Sequence, residues 1–288
     1  MLFEQCPEKY RARYVDGVVS EPSLAMLFGH TVHTALEVLL QGQGGCCPVC
    51  AARNVDHDAS AASDGAMRLK LDCARAVYYR EFDTMRSILA DEGVEAGGLL
   101  YLEGLRMIDQ VDALRLNDDS KSSPERWFKI PTQWGAPRLS WPVVGAVDLW
   151  SPPWSKHGAI IWDFKTTVGS WSQTRADKER WQPLLYSWAY VRAFDVVPTF
   201  RYLVLNRVTG VVDTFERSWP TKSAFADDLN DLEFHAEEIA ESVAEGNFTC
   251  TRGHGSCLEC GEPYGHDHVC KTPKRATVKL TGKLVAAS

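Results

Sequence analysis

The chain has 288 residues, 45% of them hydrophobic, and a formal net charge of −7. Ten tryptophans and this apolar content predict a substantial core, in one large domain or in one domain with appended segments. Charges interrupt every hydrophobic run, which excludes a bilayer-spanning helix, and Glu4 and Lys9 come too early for a signal peptide. We therefore expect a cytoplasmic protein that has no membrane partner.

The negative net charge argues mildly against a nucleic-acid-binding protein, because phosphate binding favours a basic surface. The charge is unevenly distributed, however. A dense acidic stretch covers residues 227–245, and a basic C-terminal tail contains Lys271, Lys274, Arg275, Lys279 and Lys283. Carboxylates that bind a metal ion also count as negative until the cation is bound. Net charge therefore does not exclude DNA as a partner.

Hydrophobic periodicity predicts the elements in chain order. Helices are expected at residues 2–14, 23–41, 66–90 and 99–116, in a stretch that ends near 195 and has Pro183 in its first turn, and at 221–245. Strands are expected at residues 126–130, 142–150, 159–167, 199–206 and 211–217. The fold class is therefore α/β, and its central order is helix, three strands, helix, strand.

The domain organisation follows from this order. Residues 1–41 and 121–248 are predicted to form the core, and residues 42–120 a helical insertion with a cysteine-rich loop. Residues 249–288 are predicted to form a cysteine-rich metal-binding segment and the basic tail. We find no internal repeat.

Two of the predicted strands carry acidic groups beside apolar residues. Asp148 ends the run Gly-Ala-Val-Asp, and Asp163 and Lys165 end a hydrophobic strand. Burying such groups costs free energy unless a cation or a substrate compensates for it. Because side chains alternate along a strand, Asp163 and Lys165 emerge on the same face. The alternative interpretation is a set of solvated strand-end residues. Glu125 precedes a strand and could assist the site, but a solvated residue at the start of a strand is the preferred interpretation.

Two helices carry further polar candidates at helical spacing. Gln182 and Tyr186 lie one turn apart and share a face, although Tyr186 also suits the core side of an amphipathic helix. His33 has Gly29 and Glu37 one turn to either side. A single helical histidine is also compatible with a packing role, so spacing alone does not assign His33 a function.

Nine cysteines in a cytoplasmic chain favour metal binding over disulfides. One group is Cys46, Cys47 and Cys50, and a second is Cys250, Cys257, Cys260 and Cys270. The second group could hold tetrahedral zinc, or zinc knuckles could form at Cys47-x-x-Cys50 and Cys257-x-x-Cys260. Cys73 lies in a helical pattern and is interpreted as a small core residue.

Taken in order, these motifs resemble a known family. Gly29-x-x-x-His33, Asp148, Asp163-x-Lys165, Gln182-x-x-x-Tyr186 and the opening Cys6-Pro7 are similar to the RecB-like branch of the PD-(D/E)xK nuclease superfamily. That branch includes CRISPR-associated and phage exonucleases. The resemblance extends from residue 6 to 206 and implies a restriction-endonuclease-like αβββαβ core.

The resemblance implies a metal-dependent active site. Asp148, Asp163, His33 and the backbone carbonyl of Phe164 would bind Mg²⁺ or Mn²⁺, hard cations that prefer oxygen ligands. The cation would polarise the scissile phosphate and activate a water molecule. Lys165 would orient or deprotonate that water, or neutralise charge on the phosphate. Gln182 and Tyr186 would contact the substrate.

The resemblance also implies an iron–sulfur cluster. In similar exonucleases, one N-terminal and three C-terminal cysteines hold [4Fe–4S], and the corresponding residues are Cys6, Cys257, Cys260 and Cys270. Zinc bound by Cys250, Cys257, Cys260 and Cys270 is the alternative. The gap from Cys260 to Cys270 is wider than the compact family spacing.

The predicted function is that of a divalent-metal-dependent deoxyribonuclease, an exonuclease acting on single strands or duplex ends. It would work in a bacterial cell or a phage-infected host, beside recombination or CRISPR-adaptation proteins. A structure-specific or restriction-type endonuclease on the same core is one alternative. Others are a non-catalytic DNA-binding recombination subunit, which would not need Asp148, Asp163 and Lys165 together, and a zinc-stabilised interaction protein.

Overall fold

A computed structural model describes residues 7–17, 23–40, 64–91, 97–116, 122–131 and 142–248. Contacts divide the chain into two compact units. The larger unit is Pro22–Glu233, and the smaller one combines Met1–Glu21 with Phe234–Ser288. The predicted boundaries at 41/42, 120/121 and 248/249 remain a prediction.

The described helices match the periodicity closely. They are α1 (Pro7–Tyr10, continued by a π-helical segment Arg11–Val15), α2 (Leu24–Leu40), α3 (Asp64–Asp91), α4 (Gly98–Ala113), α5 (Gln173–Lys178), α6 (Trp181–Phe194) and α7 (Lys222–Glu245). Only α5 has no counterpart among the predicted elements. Ser172 caps the N-terminus of this helix. Because α5 is only six residues long, it is too short to show a hydrophobic period.

The strands of the described residues form one mixed five-stranded sheet in the order β1-β2-β3-β4-β5. They are β1 (Ser123–Ile130), β2 (Val143–Ser151), β3 (Ile160–Thr167), β4 (Thr199–Asn206) and β5 (Val212–Arg217). Neighbouring strands are antiparallel except β3 and β4, which are parallel and are connected through α5 and α6. This topology confirms the predicted α/β class and the order helix, three strands, helix, strand.

Each face of the sheet carries its own hydrophobic core. On the first face, α2 packs with α3 and α4 over side chains that include Leu149, Trp162 and Phe164. On the second face, Tyr190 of α6 joins a cluster that includes Val147, Trp150, Ile161 and Phe200 of the sheet. Strand β3 is therefore covered on both sides, which explains why its sequence is almost continuously apolar.

Helix α2 shows how local sequence positions the functional residues. Ser23 Oγ accepts a hydrogen bond from the Met26 backbone N–H at 3.3 Å and caps the N-terminus. Buried positions follow at three- and four-residue intervals and face the sheet: Phe28, Thr31, Val32, Ala35, Leu36 and Leu39. A Cβ on Gly29 would lie 3.1 Å from Thr166 Oγ1, so glycine permits α2 to approach β3 closely here.

Two further observations bear on the sequence predictions. In the described part of the chain, no helix is both long and apolar enough to cross a membrane. Cys73 is 5% exposed within the core, as its helical pattern predicts. The cysteines predicted to bind a cluster or zinc lie outside the described residues: Cys6, Cys46, Cys47, Cys50, Cys250, Cys257, Cys260 and Cys270.

Candidate active site

The polar residues meet where β2 and β3 separate. Pairing between these strands ends at Leu149 and Trp162, and the next residues are Asp148 and Asp163. Beyond this point the Phe164 N–H donates to Asp148 Oδ2 at 2.7 Å instead of to a β2 carbonyl. In an antiparallel ladder, the N–H and C=O of one residue point to the same edge. The Phe164 carbonyl therefore faces the same gap as the Asp148 carboxylate.

The hairpin of β1 and β2 is distorted at the same level. Pro124 pairs with Leu149 and Arg126 with Val147, so Glu125 lies opposite Asp148. Glu125 has a φ of +45°, which is uncommon for a residue with a side chain. Val147 and Leu149 also belong to the cores on opposite faces, so the two-residue alternation is broken at Asp148.

Helix α2 covers the site on the first face of the sheet. Gly29, His33 and Glu37 recur every four residues and line one cleft of about 600 Å³, together with Glu125 and Asp148. His33 Nδ1 lies 3.7 Å from Asp148 Oδ1. Burial lowers the pKa of His33, but the nearby carboxylate of Asp148 outweighs burial and raises the pKa overall.

A second group of polar side chains lies on the α6 side of β3. Lys165 Nζ is 2.6 Å from Asp163 Oδ2 and donates to Gln182 Oε1 at 3.1 Å. Gln182 Nε2 donates to Asp163 Oδ1 at 2.8 Å and to the Tyr186 hydroxyl at 3.2 Å. Asp163 and Lys165 thus share a face, as the strand period predicts, and Gln182 connects them to Tyr186.

Electrostatics link the two groups. Burial raises the pKa of Asp163 to about 6 although Lys165 opposes the shift, and the nearby charge of Asp148 raises it further. For Lys165, burial lowers the pKa, but the attraction of Asp163 exceeds that effect and raises the pKa overall. In the protein without bound ligands, Lys165 is therefore an ammonium ion at neutral pH.

Glu125 requires a correction. The sequence places it before a strand as a solvated residue, whereas it lies within β1 and lines the cleft. Burial and the charges of Asp148 and Glu37 raise its pKa. Sequence analysis also treats Glu37 only as a neighbour of His33. Glu37 and Glu125 are recognised as site residues only from the tertiary structure, in which a helix and a strand bring their side chains to one cleft.

The site has the donors that a hard cation requires, but not their final arrangement. No three His, Cys, Asp or Glu side chains within the described ranges form a group that could hold a metal ion. Asp163 is held by Lys165 and Gln182, and it is 1% exposed. Burial, together with the neighbouring Asp148 carboxylate, raises the pKa of Asp163 and of Glu125, and a cation nearby would offset both effects. Metal binding would require Asp163 to separate from Lys165.

The predicted site residues thus fall into two adjoining groups. His33, Asp148 and the Phe164 backbone belong to the cleft side, and Asp163 and Gln182 to the α6 side. Lys165 lines the cleft while contacting Asp163. Tyr186 has a mixed environment: its hydroxyl accepts from Gln182, and its ring packs against Phe128 and Phe200 at centroid distances of 5.8 and 6.2 Å.

The site has one aspartate on each side of the point where β2 and β3 separate, and a lysine two residues after the second aspartate. On a mixed sheet flanked by helices, this arrangement is that of a nuclease-like α/β protein. The sequence profile of the PD-(D/E)XK nuclease superfamily matches residues 1–264, and the chain belongs to this superfamily. Such nucleases typically use divalent metals, and membership implies DNA as the substrate.

Solved structures provide more remote similarities. A crystal structure of a protein from Eubacterium rectale, provisionally described as an exonuclease, is 12% identical and has a TM-score of 0.45; the match covers 85% of this chain and 76% of that one. SSO0001 is also 12% identical, with a TM-score of 0.32 and coverage of 87% and 89%. No curated protein matches the sequence. At these values neither structure assigns this chain a substrate.

Proposed function

We propose that the protein is a divalent-metal-dependent deoxyribonuclease, acting as an exonuclease on single strands or duplex ends. The observation that supports this most directly is the strand fork, where Asp148 and Asp163 flank a gap beside Lys165. These are the residue types that hydrolysis of a phosphodiester requires: carboxylates for a cation and an ammonium for developing negative charge. Superfamily membership supports the same chemistry.

The proposed ligands of Mg²⁺ or Mn²⁺ are Asp148, Asp163, His33 and the Phe164 carbonyl. When bound, the cation would act as a Lewis acid on the phosphate and would lower the pKa of a water molecule. Asp148 is already oriented by the Phe164 N–H, and this preorganisation lowers the cost of placing its carboxylate at the ion. Asp163 is held by Gln182 and Lys165, and it would have to separate from Lys165 to reach the same ion.

Lys165 is proposed to stabilise charge on the phosphate. Its raised pKa keeps the amine protonated at neutral pH, which favours electrostatic stabilisation or water orientation over proton abstraction. Gln182 would hold both Lys165 and Asp163 through its amide, in addition to the predicted contact with DNA. Tyr186 would support Gln182 and contact the substrate from the same helix face.

The decisive variant is Lys165→Ala, assayed on end-labelled linear DNA with Mg²⁺ or Mn²⁺. We expect cleavage to fall about 100-fold or more, because one charged donor to the transition state is removed. Lys156→Ala is the control, since Lys156 is exposed in the β2–β3 turn and is absent from the cleft. Wild-type cleavage rates in Lys165→Ala would refute the catalytic assignment.

The same assay separates the alternatives. An exonuclease degrades linear DNA and leaves covalently closed circles intact, whereas a structure-specific or restriction-type endonuclease also cuts circles that contain its target. A wild-type protein that binds DNA but cleaves neither form would support the non-catalytic recombination subunit.

The cysteines extend the proposal beyond the described residues. Cys6, Cys257, Cys260 and Cys270 are proposed to hold a [4Fe–4S] cluster, and zinc bound by Cys250 with the three C-terminal cysteines is the alternative. A working context beside phage recombination or CRISPR-adaptation proteins belongs to the same proposal.

A further inference from the structure

An exposed tryptophan lies next to the proposed active site on the β1–β2 hairpin. Trp127 is 71% exposed, and Val144 on the adjacent strand is 64% exposed. Tryptophan is usually largely buried, because its ring carries a large apolar area. An exposed indole on a strand beside the proposed catalytic cleft therefore requires an explanation other than core packing.

The side-chain alternation places Trp127 on the cleft face of the sheet. Phe128 packs against Tyr186 of α6, so its neighbours Trp127 and Lys129 lie on the opposite face, which is the α2 side. On β2, Gly145 faces the Phe128 ring and Val147 belongs to the α6-side core. Val144, Ala146 and Asp148 therefore share the face of Trp127.

The register brings the indole within reach of the site. Trp127 pairs with Ala146, so Asp148 is its diagonal neighbour, two residues further along β2. Diagonal neighbours on one sheet face are separated by about 7–8 Å, a distance that an aromatic side chain spans. A phosphate at Asp148 would thus have the indole beside it, at the position of an adjacent nucleotide.

We propose that Trp127 is a stacking platform for a nucleobase of the DNA strand whose phosphate lies at the Asp148–Lys165 site. This inference rests on the proposed nuclease function and adds how the strand is held. Lys129 is exposed on the same face and pairs with Val144, which places a cation along the strand path. Aromatic rings with nearby cations form the usual surface for single-stranded nucleic acid, and they bind it without regard to sequence.

The charge pattern favours a nucleobase over a protein partner at this position. An apolar protein surface would extend over Glu125 and Asp148, whose carboxylates border the same cleft, and would remove them from water at a cost in free energy. A DNA strand presents its bases to Trp127 and its phosphate to the cation site. One indole ring is the right size to stack on one base of an unpaired strand.

The test combines a change in the protein with a change in the DNA. Trp127→Leu keeps an apolar side chain and removes the ring, and Trp127→Phe restores a ring. Cleavage of a labelled oligothymidylate with Mg²⁺ gives kcat and KM, and metal-free fluorescence anisotropy gives binding. We expect Trp127→Leu to raise KM and the dissociation constant about tenfold with kcat within twofold, and Trp127→Phe to recover most of the loss.

A series of oligonucleotides, each lacking one base, then locates the stacked nucleotide. For the oligonucleotide that lacks the stacked base, wild type should bind as weakly as Trp127→Leu, and the variant should add no further loss. Trp154→Ala is the matched control, because Trp154 is 63% exposed in the β2–β3 turn, and it should behave as wild type. Thermal unfolding of every variant verifies that the fold is retained.

Two outcomes would overturn the inference. One is unchanged KM and binding in Trp127→Leu. The other is an equal loss for the intact oligonucleotide and for every base-deleted one, because the ring would then not contact a base. Failure of the nuclease proposal gives a different result, namely a wild-type protein that does not cleave, and anisotropy still decides whether Trp127 stacks.

Discussion

At the scale of single residues, two opposing effects act on the pKa of the Asp163 carboxyl group. Burial favours its neutral form, and Lys165 at 2.6 Å favours its ionised form. Burial dominates, so the pKa in the folded protein is about 6, above the value of about 3.9 in an unfolded chain. A buried carboxyl group whose pKa is shifted this far beside a charged partner is typical of a functional site.

The direction of this shift predicts how stability depends on pH. Because the folded state binds the proton more tightly, the contribution of Asp163 is fully present below about pH 4 and is lost as pH rises through about 6. In urea unfolding with metals chelated, wild type should therefore gain about 1 kcal/mol relative to Asp163→Asn between pH 7 and pH 5. A relative loss on acidification would show that the Lys165 ion pair dominates instead.

At the scale of secondary-structure elements, the distortion of the β1–β2 hairpin creates the site. Glu125 has a positive φ opposite Asp148, and the alternation of β2 breaks at the same point. Such backbone conformations cost about 1–3 kcal/mol and concentrate at functional sites. The Glu125 carboxylate is thereby directed into the cleft that His33 and Asp148 line.

Glu125→Gly tests whether strain and function are linked. Glycine tolerates φ near +45°, so we expect the free energy of unfolding to rise by about 1 kcal/mol, and cleavage to fall about tenfold because a cleft carboxylate is lost. Asp195→Gly is the matched control: Asp195 has a φ of +54° at the end of α6, and its replacement should stabilise the protein without changing cleavage. A less stable Glu125→Gly would contradict the strain argument.

At the scale of the whole molecule, the question is how the chain ends relate to the nuclease core. The larger unit contains every described residue of the candidate site, from His33 to Tyr186. The smaller unit includes both ends of the chain, and its described residues are 7–17 and 234–248. A [4Fe–4S] cluster ligated by Cys6 and three C-terminal cysteines would connect those ends covalently, whereas a C-terminal zinc site would not.

Metal analysis after purification without oxygen distinguishes these arrangements. We expect a brown protein that contains iron, and Cys6→Ser should lose the iron and the colour because one ligand of four is removed. Cys73→Ala is the control, since Cys73 is buried in the core of the larger unit and should leave the metal content unchanged. A colourless protein that retains zinc after Cys6→Ser would establish the local zinc site instead.

Hydrophobic periodicity and residue spacing are sufficient to predict the elements and the order of the motifs. The alternation of β3 places Asp163 and Lys165 on one face, and the helical period places Gln182 above Tyr186 and His33 between Gly29 and Glu37. These relations are local, since residues two or four apart in a regular element have no freedom to lie elsewhere. The superfamily could therefore be recognised before any tertiary contact was known.

How these residues come together depends on contacts between elements, which the amino-acid pattern does not contain. Three features of the site depend on packing between elements that are distant in sequence. They are the separation of β2 and β3 at Asp148, the burial of Asp163 against Lys165, and the entry of Glu125 into the cleft. The position of Glu125 is not predictable from its neighbours, because a positive φ within a strand violates local preference and is maintained by the surrounding sheet. Periodicity predicts on which face of an element a side chain lies, whereas tertiary packing determines which residues that side chain contacts.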